Sequence, residues 1–418
     1  MRAMYLGLLL AGVVAGAATA AESWLQFRGP GGQGVTSERG LPTHWSATDN
    51  IAWKTELPGP GTSSPILVGE RIYLTAFSGF GVPGQEGSRD ELVRHLVCLD
   101  RQDGKLLWKN EVPARLPEQE RIRDDHGYAS STPVSDGERI YCFFGKSGVF
   151  AFDLAGKQQW QADVGDGLDR WGSAASLVLF ENLLLVNASV ESSSLVALDK
   201  QSGKEVWRAR GIEQSWNTPV LGKTADGQTE LLLAVGGKVL GFDPQTGKQL
   251  SSCETGNDWY MVPTTVVEEG VSYWIGGRSG GALAVRLGGR GEVTGSHRVW
   301  LGKNNSNVPS PLVHEGHMYW ASDKSGLVYC VEAATGKTVY EQRLPRADQF
   351  YASPILGDGK IYYVARNGRT FVVAAAPEFE LLATNELPDR SIFNACPVAA
   401  DGRLLLRSDK FLYCIDEP

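Results

Sequence analysis

Between Pro354 and Leu387 the chain alternates short apolar runs with polar turns: PILG, KIYYVA, TFVVAAA and ELLATNEL, separated by GDG, RNGR and APEF. Runs of this length rich in Val, Ile, Tyr and Phe predict strands, and the Asp-Gly and Asn-Gly turns predict hairpins. The unit is therefore a four-stranded antiparallel sheet.

The same unit recurs along the chain. LVALDKQSGKEVW (195–207) aligns with LVCLDRQDGKLLW (96–108), VFAFDLAGKQQW (149–160), VLGFDPQTGKQL (239–250) and VYCVEAATGKTVY (328–340). Upstream of these stands a second recurring piece, as in SSPILVGERIYLTA (63–76) and ASPILGDGKIYYVA (352–365). Its proline gives a marker at Pro65, Pro133, Pro219, Pro263, Pro311, Pro354 and Pro397, with Ser176 filling one slot. Successive spacings are 68, 43, 43, 44, 48, 43 and 43 residues. Four strands at this period predict propeller blades, and eight copies predict an all-β, eight-bladed β-propeller. The last copy ends at RSDKFLYCIDEP without a fourth strand, while HWSATDNIAWKTELP (44–58) carries an isolated "AWK" ending. Ile51–Leu57 is therefore expected to pair with Phe411–Ile415, close the ring and remove its free edges.

The A-x-D-x-x-[ST]-G-x-x-x-W pattern, as in Ala197, Asp199, Ser202, Gly203 and Trp207, resembles the repeat of pyrroloquinoline-quinone-type β-propellers over nearly all of residues 50–418. That superfamily includes quinoprotein alcohol dehydrogenases and the propeller subunit of the outer-membrane barrel-assembly machinery. WLQFRGPGGQGV (24–35) resembles the lead-in of exported bacterial members known only by their repeats. A shared fold does not by itself carry a ligand or an activity.

The repeated motif falls between the third and fourth strands of each blade, where Asp accepts backbone N–H bonds and Gly takes positive φ. Asp100, Gly104 and Trp108, Asp153, Gly156 and Trp160, Asp199, Gly203 and Trp207, Asp243 and Gly247, and Gly336 are thus scaffold. The resemblance implies that these tryptophans, with Trp53, wedge between neighbouring blades.

Departures from the repeat gather on the other face. Before the innermost strands stand Tyr128, Trp171, Trp216, Asn217, Trp259, Tyr260, Asn307, Tyr351, Phe393 and Asn394. Hairpins on that face carry Lys146, Arg278, Lys324, Arg366 and Lys410, and two insertions, 77–95 and 113–127, emerge there. Aromatic walls with convergent amides and bases suit an anionic, planar or sugar-like ligand. The alternative is that the aromatics plug the channel and the bases are solvated turn residues.

Residues 1–21 have the layout of a cleaved secretory signal: Arg2, an apolar run and an Ala-Thr-Ala exit. A lead-in (22–50) and the propeller (51–418) follow. These features predict a periplasmic or extracellular chain without stable membrane insertion, and a monomer. The net charge of −8 becomes one unit more acidic without Arg2 and gives no footprint for nucleic acid. Of the six cysteines, Cys98, Cys330 and Cys414 occupy the position held elsewhere by Ala197 or Gly241, which predicts small buried strand residues.

No metal site and no cofactor are expected from the spacings. Under the dehydrogenase alternative, the resemblance implies pyrroloquinoline quinone with Ca2+ or a lanthanide. Asp124, Asp125, Asp169, Asp258 and Asp348, with Asn217, Asn307 and Asn394, lie on the right face, but none matches that family's ligand spacing, and its vicinal Cys-Cys pair is absent. H-E-x-x-H and Walker signatures are also missing. The sequence therefore favours a binding or protein-interaction scaffold over an enzyme, with an envelope or extracellular protein or carbohydrate as partner and no nucleic acid.

Overall fold

The computed structural model describes residues 24–120, 122, 126–213, 215–278 and 280–417. The signal segment 1–21 and the candidates Asp124 and Asp125 lie outside the described residues. Eight antiparallel sheets form among those described, arranged as the blades of one ring. Blade 1 comprises Ile66–Val68, Arg71–Ser78, Val93–Asp100 and Leu106–Pro113. Six blades follow, spanning 134–162, 178–210, 220–254, 266–301, 312–343 and 355–386. Blade 8 takes Val398–Ala400, Arg403–Arg407 and Phe411–Ile415 from the end of the chain and Ile51–Glu56 from its beginning. That last pairing is antiparallel, with Trp53 opposite Cys414 and Glu56 opposite Phe411, as the incomplete final repeat predicts. Blade 4 departs from four strands, because Gly291–Glu292 adds a parallel fifth beside Gln249–Glu254.

Inner strands are buried on both faces, and apolar side chains of successive blades meet between the sheets. Tyr141, Phe143 and Ala151 of blade 2, for example, pack with Leu184, Val186 and Val196 of blade 3. Small third-strand residues accept the bulk of the fourth: Cys98 faces Trp108, Ala151 faces Trp160, Ala197 faces Trp207 and Cys330 faces Tyr340. All six cysteines are buried free thiols.

The repeated motif locks blade to blade. Asp199 Oδ1 accepts the Ser202 N–H at 2.8 Å, and the Gly203 N–H returns to the Asp199 carbonyl at 2.8 Å. An added Cβ on Gly104, Gly156, Gly203 or Gly247 would lie within 3.1 Å of Trp53, Trp108, Trp160 or Trp207, each from the preceding blade, and Gly336 stands in the same way against Trp300. The indole N–H of Trp160 donates to the Lys200 carbonyl and that of Trp207 to Pro244. These tryptophans are wedges, and their aspartates cap turns.

A second lock circles the channel. The backbone N–H of Ser64 donates to Thr132 Oγ1, Thr132 to Ser176, Ser176 to Thr218, Thr218 to Thr264, Thr264 to Ser310, Ser310 to Ser353, Ser353 to Cys396 Sγ, and Cys396 back to Ser64 Oγ. Lengths run from 2.9 to 3.3 Å. The marker prolines follow these ring residues directly, which corrects the alignment of two copies. The slot after the ring residue is Leu177, where the sequence suggests Ser176, and Thr265, where it suggests Pro263.

The lead-in closes one end of the channel. Trp24, buried, accepts the Leu67 N–H through its carbonyl, Leu25 accepts that of Ser135, and the Val267 N–H donates to Gln33 Oε1. Gly34 and Thr36 bracket Leu356 with two backbone bonds. Arg28, fully buried, donates to the Pro311 carbonyl, and burial lowers its guanidinium to about 10. The lead-in thus ties blades 1, 2, 5, 6 and 7 together before it runs out along blade 7, where Tyr362 Oη donates to the Pro42 carbonyl.

Candidate functional site

Strand geometry determines what faces the channel. Side chains alternate along a strand, so the residue two before each ring residue points the same way as the ring residue itself. Thr62, Ser130, Ala174, Trp216, Val262, Val308, Tyr351 and Asn394 occupy that position in the eight blades, and all eight line one cavity of about 200 Å3. Phe27 of the lead-in forms its floor. His126, Trp171, Tyr260, Arg278, Asn307, Asp323 and Lys324 join the lining from loops, and the ring residues Thr218, Thr264, Ser310, Ser353 and Cys396 complete it. Above this shaft a wider vestibule of about 930 Å3 is walled by Phe77, Gly81, Val82, Pro83, Tyr128 and Trp259, and shares His126, Trp171 and Arg278 with the shaft.

Of the residues singled out from sequence, Trp171, Trp216, Tyr260, Arg278, Asn307, Lys324, Tyr351 and Asn394 come together in the shaft. Tyr260 is the hub of one wall, with ring centroids 5.6 Å from Trp171, 5.6 Å from Trp216 and 5.8 Å from Trp259. The Trp216 indole is fixed by donating to the Gly172 carbonyl at 2.7 Å. Trp259, 40% exposed, stands in the vestibule with the Arg278 guanidinium 5.5 Å from its ring.

The other candidates sit elsewhere. Asn217 is one residue before its ring residue, so alternation turns it away from the shaft; its amide is spent on Ala234 O, Ser215 Oγ and the Ala234 N–H. Lys146 is buried behind the mouth, where its ammonium donates to the Pro117 carbonyl at 2.9 Å. Tyr128 belongs to the vestibule wall: it packs on Phe77 and Phe80, donates to the Gln119 carbonyl, and is pushed up to about 12 by burial. Arg366 backs the shaft, 4.3 Å from the Tyr351 ring, and donates to Asn394 Oδ1 and Gln349 Oε1. Phe393 is fully buried between blades.

The insertion at 113–127 is anchored by a buried ion pair, Arg94 with Glu118 at 2.5 Å, and Arg94 also donates to the Tyr128 carbonyl and Ser147 Oγ. Beside it Glu191 is raised to about 7 by burial. At the vestibule wall Asp409 is raised to about 6, again by burial, against the pull of Arg407 and Arg366.

Several lining residues carry no motif signal. Phe27 reaches the shaft from more than 30 residues before the first blade. His126 Nδ1 lies 2.7 Å from Ser130 Oγ. Asp323 neighbours Lys324 in the same hairpin and accepts the Asn307 N–H at 3.2 Å; that adjacency was the available clue. Among the described residues no group of three or more His, Cys, Asp or Glu side chains is placed to share a metal ion. Ca2+ takes six to eight oxygens, whereas the carboxylate and amide side chains of the described shaft lining are Asp323, Asn307 and Asn394. That set does not fit the cation that accompanies a quinone cofactor.

Comparison with known proteins places this geometry in a family. The family model described as outer membrane protein assembly factor BamB matches residues 30–164, 88–218, 172–288 and 236–378. A search of curated proteins by sequence returns no match. Among solved structures, BamB from Moraxella catarrhalis superposes with a TM-score of 0.61 at 12% identity, covering 87% of this chain and 98% of that one. Quinohemoprotein alcohol dehydrogenase from Comamonas testosteroni gives 0.63 at 9%, and ADHIIG from Pseudomonas putida HK5 gives 0.64 at 12%; each covers 94% of this chain and 80% of its own. Identities this low show the shared fold alone. No helix among the described residues is long and apolar enough to cross a membrane. The chain belongs to the PQQ-like β-propeller family whose model is described as outer membrane protein assembly factor BamB.

Proposed function

We propose that this chain is an exported binding propeller of the cell envelope, one that holds its partner on the mouth side of the ring without transforming it. The one-ended shaft carries the reading. Phe27 and the lead-in close the channel below, and the two insertions wall the vestibule above, so an occupant enters and leaves from one side. The secretory layout of residues 1–21 and the envelope role in the family's description support the setting. The acidic balance argues against nucleic acid as partner.

The competing reading is a dehydrogenase using pyrroloquinoline quinone with Ca2+ or a lanthanide, and the dehydrogenase neighbours share its fold. Against it stands the single carboxylate, Asp323, among the described shaft residues. The test is to titrate the purified protein with the quinone plus each cation, following bound absorbance and dye-linked alcohol oxidation. Neither saturable binding nor turnover is expected; both together would overturn the binding reading.

A further inference from the structure

We propose that the shaft binds the terminal unit of an acidic carbohydrate, a uronic acid at the end of a glycan, whose following units lie in the vestibule. This rests on the binding reading above and adds the chemistry of the occupant.

Three observations converge on it. The Tyr260 wall offers flat apolar faces, with Trp216 held in place by its bond to Gly172, and such rings suit the C–H face of a pyranose. Asn307 is 7% exposed, and its Oδ1 has no hydrogen-bond partner among the described residues, although its Nδ2 lies 3.3 Å from Tyr260 Oη. A buried acceptor left without a donor is unfavourable; this oxygen is shielded even from water, so the Asn307 amide must turn toward the shaft it lines to be satisfied, and a sugar hydroxyl then supplies the donor where a hydrocarbon or a bare aromatic acid would not. The third observation is charge: Lys324 and Arg278 against Asp323 leave one positive charge among these three shaft residues. One carboxylate balances it, whereas a phosphate dianion would overshoot.

Size sets how much of the chain enters. At about 200 Å3 the shaft is smaller than the roughly 300–1,000 Å3 of sites that enclose whole drug-sized ligands. One ring fits below, and the vestibule of about 930 Å3 takes the units that follow.

The test is to titrate the full chain with maltotetraose and with the same tetrasaccharide whose non-reducing terminal glucose is oxidised at C6 to the glucuronate, so that the two differ by one carboxylate, following tryptophan fluorescence and calorimetric heat. Saturable binding of the uronate, about tenfold tighter than the neutral sugar, is expected from one charge-assisted contact. Lys324→Gln, at an exposed position that leaves the fold intact, should remove that preference, and Asn307→Leu should weaken both sugars. Lys204→Gln on the opposite face should change neither. Silence with both sugars, equal affinity for the two, or an unaltered preference in Lys324→Gln would each overturn the proposal. Those outcomes leave the binding reading standing, since that reading falls only to cofactor binding with turnover.

Discussion

Gly203 holds φ at +73° and lies under the ring of Trp160, so a Cβ there would sit 2.6 Å from Trp160 Cε3. Two costs combine at this residue: a left-handed backbone that side chains resist, and a clash with a ring that cannot retreat because its N–H is bonded to Lys200. Gly211 has a comparable φ of +84° with nothing within 4 Å. Gly203→Ala should therefore cost about 2–4 kcal/mol and Gly211→Ala about 1 kcal/mol, read as shifts of the urea midpoint at constant slope. Equal costs would mean that backbone strain alone explains the repeated glycine, and that the tryptophan wedge adds nothing. The same residue-scale logic explains which site residues were legible. Trp216 and Asn217 are neighbours and look equally promising in sequence, yet alternation sends one into the shaft and the other into the scaffold. Lys146, Lys324 and Arg278 stand on equivalent hairpins, but only the last two meet the cavity, since the 113–127 insertion covers Lys146.

At the scale of the strand, the blades were legible because their turns are chemically marked, and the exact register was not. A proline announces where an innermost strand begins, but in blade 5 the proline precedes the ring residue Thr264 and in blade 3 it is missing, so the marker slipped in both. The feature that sets register is the side-chain acceptor that takes the N–H of the preceding blade's ring residue. Serine or threonine fills seven of its positions and Cys396 the eighth. Sulfur accepts weakly, and here at 3.3 Å from the Ser353 nitrogen. Cys396→Ser should keep the ring and hold stability within about 1 kcal/mol, whereas Cys396→Val should cost about 1–3 kcal/mol by leaving a buried N–H without an acceptor. Chemical denaturation of the two variants checks this. If valine proves as stable as serine, the ring is a by-product of packing and has no part in fixing register. The shaft floor was illegible for a different reason: Phe27 is brought there by the lead-in's bonds to blades 1, 2, 5, 6 and 7, a long-range arrangement with no local pattern.

For the whole molecule, the decisive contact joins the two ends of the chain. Ile51–Glu56 fills the outer edge of blade 8, Trp53 seats against Gly104 of blade 1, and Lys54 places its ammonium 3.7 Å from the Phe411 ring centroid. Without that strand, Phe411–Ile415 becomes an unpaired edge flanked by an empty wedge site, which is a template for pairing with another chain. A fragment comprising residues 59–418 should therefore elute as oligomers and melt well below the full chain. Adding a peptide of residues 24–58 should return it to monomer, because that peptide carries both the closing strand and the lead-in that spans the channel. A peptide of residues 24–50 separates the two contributions: it restores the floor but not the edge, so it should raise the melting temperature while leaving the oligomers in place. A monomeric 59–418 fragment with the stability of the full chain would show that the other seven blades, with the hydroxyl ring, suffice to hold the propeller shut, and that closure by the N-terminal strand serves something other than stability.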